Sequence, residues 1–377
     1  MMVPIKLIGD IKEFEDGLQL ILPDLSLEIS DSGIPVTVQK GDSLVAKLSA
    51  DSGCISYAKK VQFFRALSHL SQHGVGCNVE EQGGFEHNGV MIDLTCNNVM
   101  KPETLRYFFR KMALMGLDLA VIQQLMEVPE YPYYGYMRGR YSADEMKQID
   151  DYAYTFGIEV VPCIQTLGHL ERELHWNHMN PISDTPQVLF VGEDETYRFI
   201  EACLKAVTAP YRSKRVHIGM DEAWNVGFGK YLRKHGYRET ADIMKDHLSR
   251  IHEILDRMGL HAMMWSDMYF RSISPTDDYY DLTAEIPQKI LDSAPSDVDL
   301  VYWHYCETEE NTYKEMIKRH QRFKAKTIYA GGICTWLGPT PRYDFTINPT
   351  VFALRQCREL GVSEVFATLW GDDCAEC

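Results

Sequence analysis

Two adjacent acids, Asp221 and Glu222, close the run His217-Ile218-Gly219-Met220-Asp221-Glu222, and a glycine-containing turn, Asn225-Val226-Gly227-Phe228-Gly229, follows them. An Asp-Glu pair in a solvated loop is ordinary. A pair set after a glycine at the end of a short apolar run is placed for proton transfer. Indoles with polar or acidic neighbours recur further on: Trp265-Ser266-Asp267, Tyr302-Trp303-His304-Tyr305, Thr335-Trp336 and Trp370-Gly371-Asp372-Asp373. Aromatic rings pack against the CH face of a pyranose, and carboxylates accept hydrogen bonds from its hydroxyls. One such tryptophan would be ordinary core. Four of the chain's six in this company point to a sugar site. A carboxylate nucleophile needs a second carboxyl about 5 Å away, across the reacting carbon. Neighbouring side chains on one strand diverge. The pair is therefore expected to divide into one proton donor and one residue that positions something else. In substrate-assisted hydrolysis that something is the sugar's own 2-acetamido group.

Elements able to carry these residues are legible from residue 89 onward, where short apolar runs alternate with amphipathic stretches. The strands are expected at Val90–Thr95, Leu119–Gln123, Glu159–Gln165, Val216–Met220, Ala262–Ser266, Leu300–His304, Thr327–Gly331 and Glu364–Leu369. Helices are expected at Pro102–Met115, Ala143–Phe156, Glu195–Val207, Thr240–Met258, Ala284–Asp292, Thr312–Lys324 and Pro349–Leu360. Several stop at a glycine (Gly116, Gly157, Gly259, Gly361), as helix C-termini do. The alternation predicts an α/β protein: a (β/α)8 TIM barrel over 89–377, after a small α/β domain over 1–88. That first domain is expected to hold strands at Val36–Gln39 and Leu44–Leu48 and one helix at Tyr57–His73. No stretch is left after the last strand for an eighth barrel helix. Reactive groups of such barrels lie at the C-terminal strand ends, where the acids and indoles fall. No GxGxxG turn follows a strand, which disfavours a dinucleotide fold.

The net charge of −16 argues against nucleic acid as a partner, since that needs a basic surface. Neither a signal peptide nor a bilayer-spanning apolar run is visible, so a cytoplasmic location and no membrane partner are expected. The ten cysteines are scattered and read as reduced thiols. Cys374 and Cys377 make the one CxxC, with no second pair to complete a zinc site. Metal-dependent hydrolysis through His217, Asp221 or His304 is disfavoured, because no HxH follows the first strand and no histidine pair has ligand spacing near the acids. No metal or cofactor is expected, and oligomeric state is left open.

At His217-x-Gly219-x-Asp221-Glu222 the chain resembles glycoside hydrolase family 20, the β-N-acetylhexosaminidases, and within it the cytosolic, hexosaminidase D-like branch. The likeness extends to Tyr134-Gly135-Tyr136-Met137-Arg138-Gly139-Arg140-Tyr141, Cys163-Ile164-Gln165-Thr166-Leu167-Gly168-His169-Leu170-Glu171, Met264-Trp265-Ser266-Asp267-Met268 and Ala367-Thr368-Leu369-Trp370-Gly371-Asp372-Asp373. The resemblance implies that Glu222 is the general acid and then the base, and that Asp221 holds the acetamido group and stabilises an oxazolinium intermediate. It implies that Trp265, Trp336 and Trp370 wall the sugar, that Tyr302 bonds the acetamido carbonyl, and that Asp267 and Asp372 join the substrate-binding set. His169 would support the catalytic region; as a residue type it reads equally well as a satisfied buried histidine.

Three positions depart from the family pattern: Cys96 stands where an arginine is usual, Ile122–Glu127 is shorter and less acidic, and His304 replaces an aspartate. The implied activity is exo-acting, retaining hydrolysis of terminal β-linked GlcNAc or GalNAc from a glycan or glycoside. The alternative is a weak or inactive sugar-binding barrel.

Overall fold

The computed structural model describes residues 2–96, 98–135, 139–338 and 340–372. Tyr136, Met137, Arg138, Asp373, Cys374 and Cys377 lie outside the described residues. The chain divides into two compact units: residues 1–89, 100–120 and 147–160, and residues 90–99, 121–146 and 161–377.

The first unit carries a six-stranded sheet of β1 (Val3–Ile8), β2 (Leu27–Ile29), β3 (Ile34–Lys40), β4 (Leu44–Leu48), β5 (Gly53–Tyr57) and β6 (Cys77–Glu81). Its order is β2-β1-β3-β5-β4-β6, parallel through β5 and antiparallel at β4 and β6. Helix α2 (Lys60–His73) buries Phe63 and Phe64, and Phe63 stacks on Phe14 at 4.0 Å. A second helix, α1 (Glu15–Ile21), was not expected. Two turns are too short to print a helical period.

Eight strands close the barrel: β7 (His87–Asp93), β8 (Leu119–Gln123), β9 (Glu159–Cys163), β10 (Arg215–His217), β11 (His261–Trp265), β12 (Val298–Trp303), β13 (Thr327–Gly332) and β14 (Glu364–Leu369). The expected (β/α)8 barrel is thus present. Helices α3 (Pro102–Met115), α4 (Ala143–Thr155), α5 (Glu171–Leu174), α6 (Asp194–Thr208), α7 (Lys230–His235) and α8 (Thr240–Met258) come before β11. Helices α9 (Asp267–Arg271), α10 (Gln288–Leu291), α11 (Glu310–His320) and α12 (Tyr343–Glu359) come after it. Among the described residues no helix is long and apolar enough to cross a membrane.

Three expected helices differ, the one expected at Thr312–Lys324 running over Glu310–His320 instead. The stretch read as Ala284–Asp292 keeps one turn, α10, beginning after Pro287; a proline holds its predecessor out of the helical region. Helix α12 starts at Tyr343, six residues before the expected Pro349, and runs through that proline.

Register settles which side chains face the barrel interior. Paired residues of parallel strands share a face, and parity alternates along each strand. Trp265 pairs with Val301, Trp303 with Ala330, and Ala330 with Phe366. Trp265 also reaches Phe366 at 6.2 Å, three strands away, so this shared face is the inside. Tyr302 pairs with Tyr329 on the opposite face.

Candidate active site

At the C-terminal strand ends lies a cavity of about 370 Å³, bordered by His169, Asp221, Glu222, Trp265, Trp336, Trp370 and Asp372. Seven of the nine residues singled out from the sequence thus meet at one hollow of ligand-binding size.

The acids reach it through a local departure from strand geometry. Strand β10 ends at His217, earlier than the expected Met220. Gly219, Met220 and Glu222 then adopt φ of 68°, 73° and 46°. A Cβ on Gly219 would sit 2.1 Å from Gln165 Oε1, so a larger residue at this left-handed position would be strained and would displace the side chain that bonds Asp221. His169, in the loop after β9, has φ 55°. Left-handed backbone at a residue other than glycine costs on the order of 1–3 kcal/mol and persists where surrounding structure enforces it. Here Thr166 Oγ1 donates to Ile218 O at 2.7 Å, tying the two loops together.

Because Asp221 and Glu222 are not on a strand, their carboxyls converge instead of diverging. His169 Nε2 lies 3.3 Å from Asp221 Oδ2 and 3.3 Å from Glu222 Oε2. Gln165 Nε2 donates to Asp221 Oδ1 at 2.9 Å. Burial alone would raise the Asp221 carboxyl, but the His169 charge and these hydrogen bonds outweigh it and hold it below the ordinary value. Burial likewise opposes charge on His169, and the two carboxylates prevail, pushing it up to about 11. At neutral pH an imidazolium therefore faces an ionised Asp221. His217 is a different case: buried beneath Trp265 at 4.4 Å, it is lowered to about 3 by burial and stays neutral.

Asp267 and Tyr302 do not border the cavity. Asp267 opens α9, is buried, and accepts the Glu222 backbone N–H at 3.0 Å. Burial, then the charge of Asp221, push its carboxyl up to about 7. It supports the acid's backbone. Tyr302 points toward the helices, sharing a hydrogen bond with His304 Nδ1 at 3.0 Å and lying 4.6 Å from the His320 ring. Two residues with the opposite parity, Trp303 and Tyr305, border the cavity instead. Tyr305 Oη accepts from Trp370 Nε1 at 3.0 Å. Strand β12 is buried on both faces, so its composition does not disclose the inward side. The signal available was parity with Trp265.

Across the cavity, Cys96 Sγ donates to Asp372 Oδ1 at 3.4 Å. Burial and the carboxylates of Asp93 and Asp372 push the thiol well up, so it stays protonated. Asp93, Cys96 and Asp372 bring one potential ligand atom each within 4.8 Å of one another. Asp93 is already engaged: Oδ1 accepts from Thr95 N and Oγ1, and Oδ2 from Gly371 N. That is the bonding of a structural carboxylate. His304, the third departure, stacks on Tyr280 at 3.7 Å, and burial lowers it to about 4.

Residues 122–319 match the glycosyl hydrolase family 20 catalytic domain. The chain belongs to glycosyl hydrolase family 20. Among curated proteins, this family 20 chain is 26% identical over 191 residues to Hexosaminidase D of Bos taurus, covering 46% of this chain and 51% of that protein. It is 28% identical over 152 residues to Hexosaminidase D of Homo sapiens, covering 37% and 31%. The matches thus span about half the length of these relatives or less. Among solved structures, the β-N-acetylhexosaminidase from Bacteroides fragilis NCTC 9343 superposes with a TM-score of 0.71 at 17% identity, over 99% of this chain and 82% of that one. The GH20 exo-β-N-acetylglucosaminidase from Vibrio harveyi, in complex with N-acetylglucosamine, gives a TM-score of 0.71 at 14% identity, over 98% and 66%. At such identities the structures establish the shared fold.

Proposed function

We propose that this family 20 chain is an exo-acting, retaining β-N-acetylhexosaminidase that removes terminal β-linked GlcNAc or GalNAc by substrate-assisted catalysis. The observation that carries the reading is the convergence of Asp221 and Glu222 on one imidazolium at an indole-lined hollow. Glu222 protonates the glycosidic oxygen as the bond to the anomeric carbon breaks. The acetamido oxygen attacks that carbon, and Asp221, kept ionised, takes the acetamido N–H and stabilises the oxazolinium cation. Glu222 then removes a proton from the water that opens the ring. Trp265, Trp336 and Trp370 wall the sugar, joined by Trp303 and Tyr305. Asp372 takes a sugar hydroxyl.

The test is nitrophenol release from 4-nitrophenyl N-acetyl-β-D-glucosaminide and its galacto counterpart. Wild-type release that collapses in Glu222→Gln is expected; undiminished release by that variant rejects the assignment. A second reading, a sugar-binding barrel without turnover, draws on the Cys96 side of the cavity, where a thiol stands in place of an arginine. It predicts binding of a GlcNAc-thiazoline mimic with no hydrolysis. The eight described cysteines are all unpaired thiols, which supports a reducing, cytoplasmic setting.

A further inference from the structure

Tyr279 lies on the segment between α9 and α10, far in sequence from the acid pair. Its hydroxyl stands 3.2 Å from Glu222 Oε1 and donates to it. Its direction is set by a third residue. Trp224 Nε1, which can only donate, gives its hydrogen to Tyr279 Oη. With that lone pair taken, the phenolic hydrogen is left to Glu222. The ring is held too: Trp303 lies 5.4 Å from it at a tilt, and the Arg271 guanidinium sits 6.0 Å over its face. Burial, with the Glu222 and Asp267 carboxylates, raises the phenol far above its ordinary range. It is a fixed donor and does not titrate in the working range. The Glu222 carboxyl is therefore met on both oxygens, Oε1 by Tyr279 and Oε2 by His169.

We propose that Tyr279, itself oriented by Trp224, is a positioning residue for the proton donor, aiming the Glu222 carboxyl and stabilising the charge it acquires as its proton leaves. The inference rests on the hydrolase reading above. When Glu222 gives its proton to the glycosidic oxygen, the electron pair of the breaking C–O bond stays on that oxygen and the carboxyl becomes anionic. A neutral hydrogen bond from Tyr279 then becomes charge-assisted and strengthens. An interaction stronger in the transition state than in the ground state accelerates the step. The gain is largest where the leaving group depends most on protonation.

The experiment compares kcat/KM for methyl N-acetyl-β-D-glucosaminide, whose leaving group needs the proton, and the 2,4-dinitrophenyl glycoside, whose leaving group does not. In Tyr279→Phe the methyl glycoside should lose about ten- to hundredfold, and the methyl-to-dinitrophenyl ratio should fall about tenfold or more. Trp224→Phe, which keeps the phenol but frees its direction, should move the ratio the same way by less. This second variant also decides the matter if Tyr279→Phe folds poorly. An unchanged ratio in both, with an active wild type, overturns the inference alone. A wild type inert on both glycosides overturns the hydrolase reading beneath it.

Discussion

At the N-terminal ends of the barrel strands, the fully buried Glu364 takes Arg215 and, at 2.7 Å, Lys326, while Asp299 takes His261 at 3.0 Å. At the C-terminal ends, Asp221 and Glu222 meet one imidazolium, with Asp267 buried behind the Glu222 backbone and with Glu222, Met220 and His169 in left-handed backbone. Gln124 Nε2, Gln165 Oε1 and Trp265 Nε1 are buried there without a hydrogen-bond partner. Each such atom costs roughly 1–3 kcal/mol. One end of the barrel pairs its buried charges locally, with Thr327 Oγ1 its unmatched atom. The other carries strain and unmatched polarity that the rest of the fold must offset, as expected where a ligand is to complete the bonding.

The comparison breaks if substitutions at the two ends affect the same property. Glu222→Gln should lower kcat/KM for an alkyl glycoside by about 10²–10⁴ while leaving the melting temperature near wild type, measured by initial rates and calorimetry. Asp221→Asn should cost about 10²–10³, because an amide does not stabilise a cationic intermediate as a carboxylate does. Glu364→Gln should do the reverse: kcat unchanged, and stability in urea reduced by roughly 3 kcal/mol, since two cations lose their buried partner.

That last effect has a pH signature. Burial pushes the Glu364 carboxyl up, but Arg215 and Lys326 outweigh it and hold it below the ordinary 4.5. Its contribution is complete above that value and is lost as pH falls through the depressed one. The stability gap between wild type and Glu364→Gln should therefore shrink below about pH 4.5.

Asp267 sharpens the contrast from the opposite direction. A carboxyl raised from 3.8 to about 7 favours the folded state while protonated, so stability falls as pH rises through that window. Asp267→Asn should be more stable than wild type at pH 8, by on the order of 2 kcal/mol, with a lower kcat, because the Glu222 backbone is held without the neighbouring charge. Equal stability at pH 8 would show that Asp267 carries no such strain. The smallest effect is expected at the protonated thiol: Cys96→Ala should change KM for the aryl glycoside by less than about threefold. A tenfold rise would make Cys96 a true grip on the sugar.

Eight apolar runs separated by amphipathic stretches, an acid pair at one run's end and indoles at four more were readable because periodicity and residue type are local properties of the chain. They were enough for the barrel, and they singled out Asp221, Glu222 and five further residues that border the cavity. Local pattern stops at β12, where Tyr302 and Trp303 are equally apolar and both faces are covered, so inter-strand register alone separates the inward Trp303 and Tyr305 from the outward Tyr302. It stops again at Glu222, whose left-handed backbone is imposed by packing and turns two neighbouring carboxyls onto one histidine. Tyr279 and Asp267 reach the same acid from 57 and 45 residues away, a proximity that exists only once the ring of strands has closed.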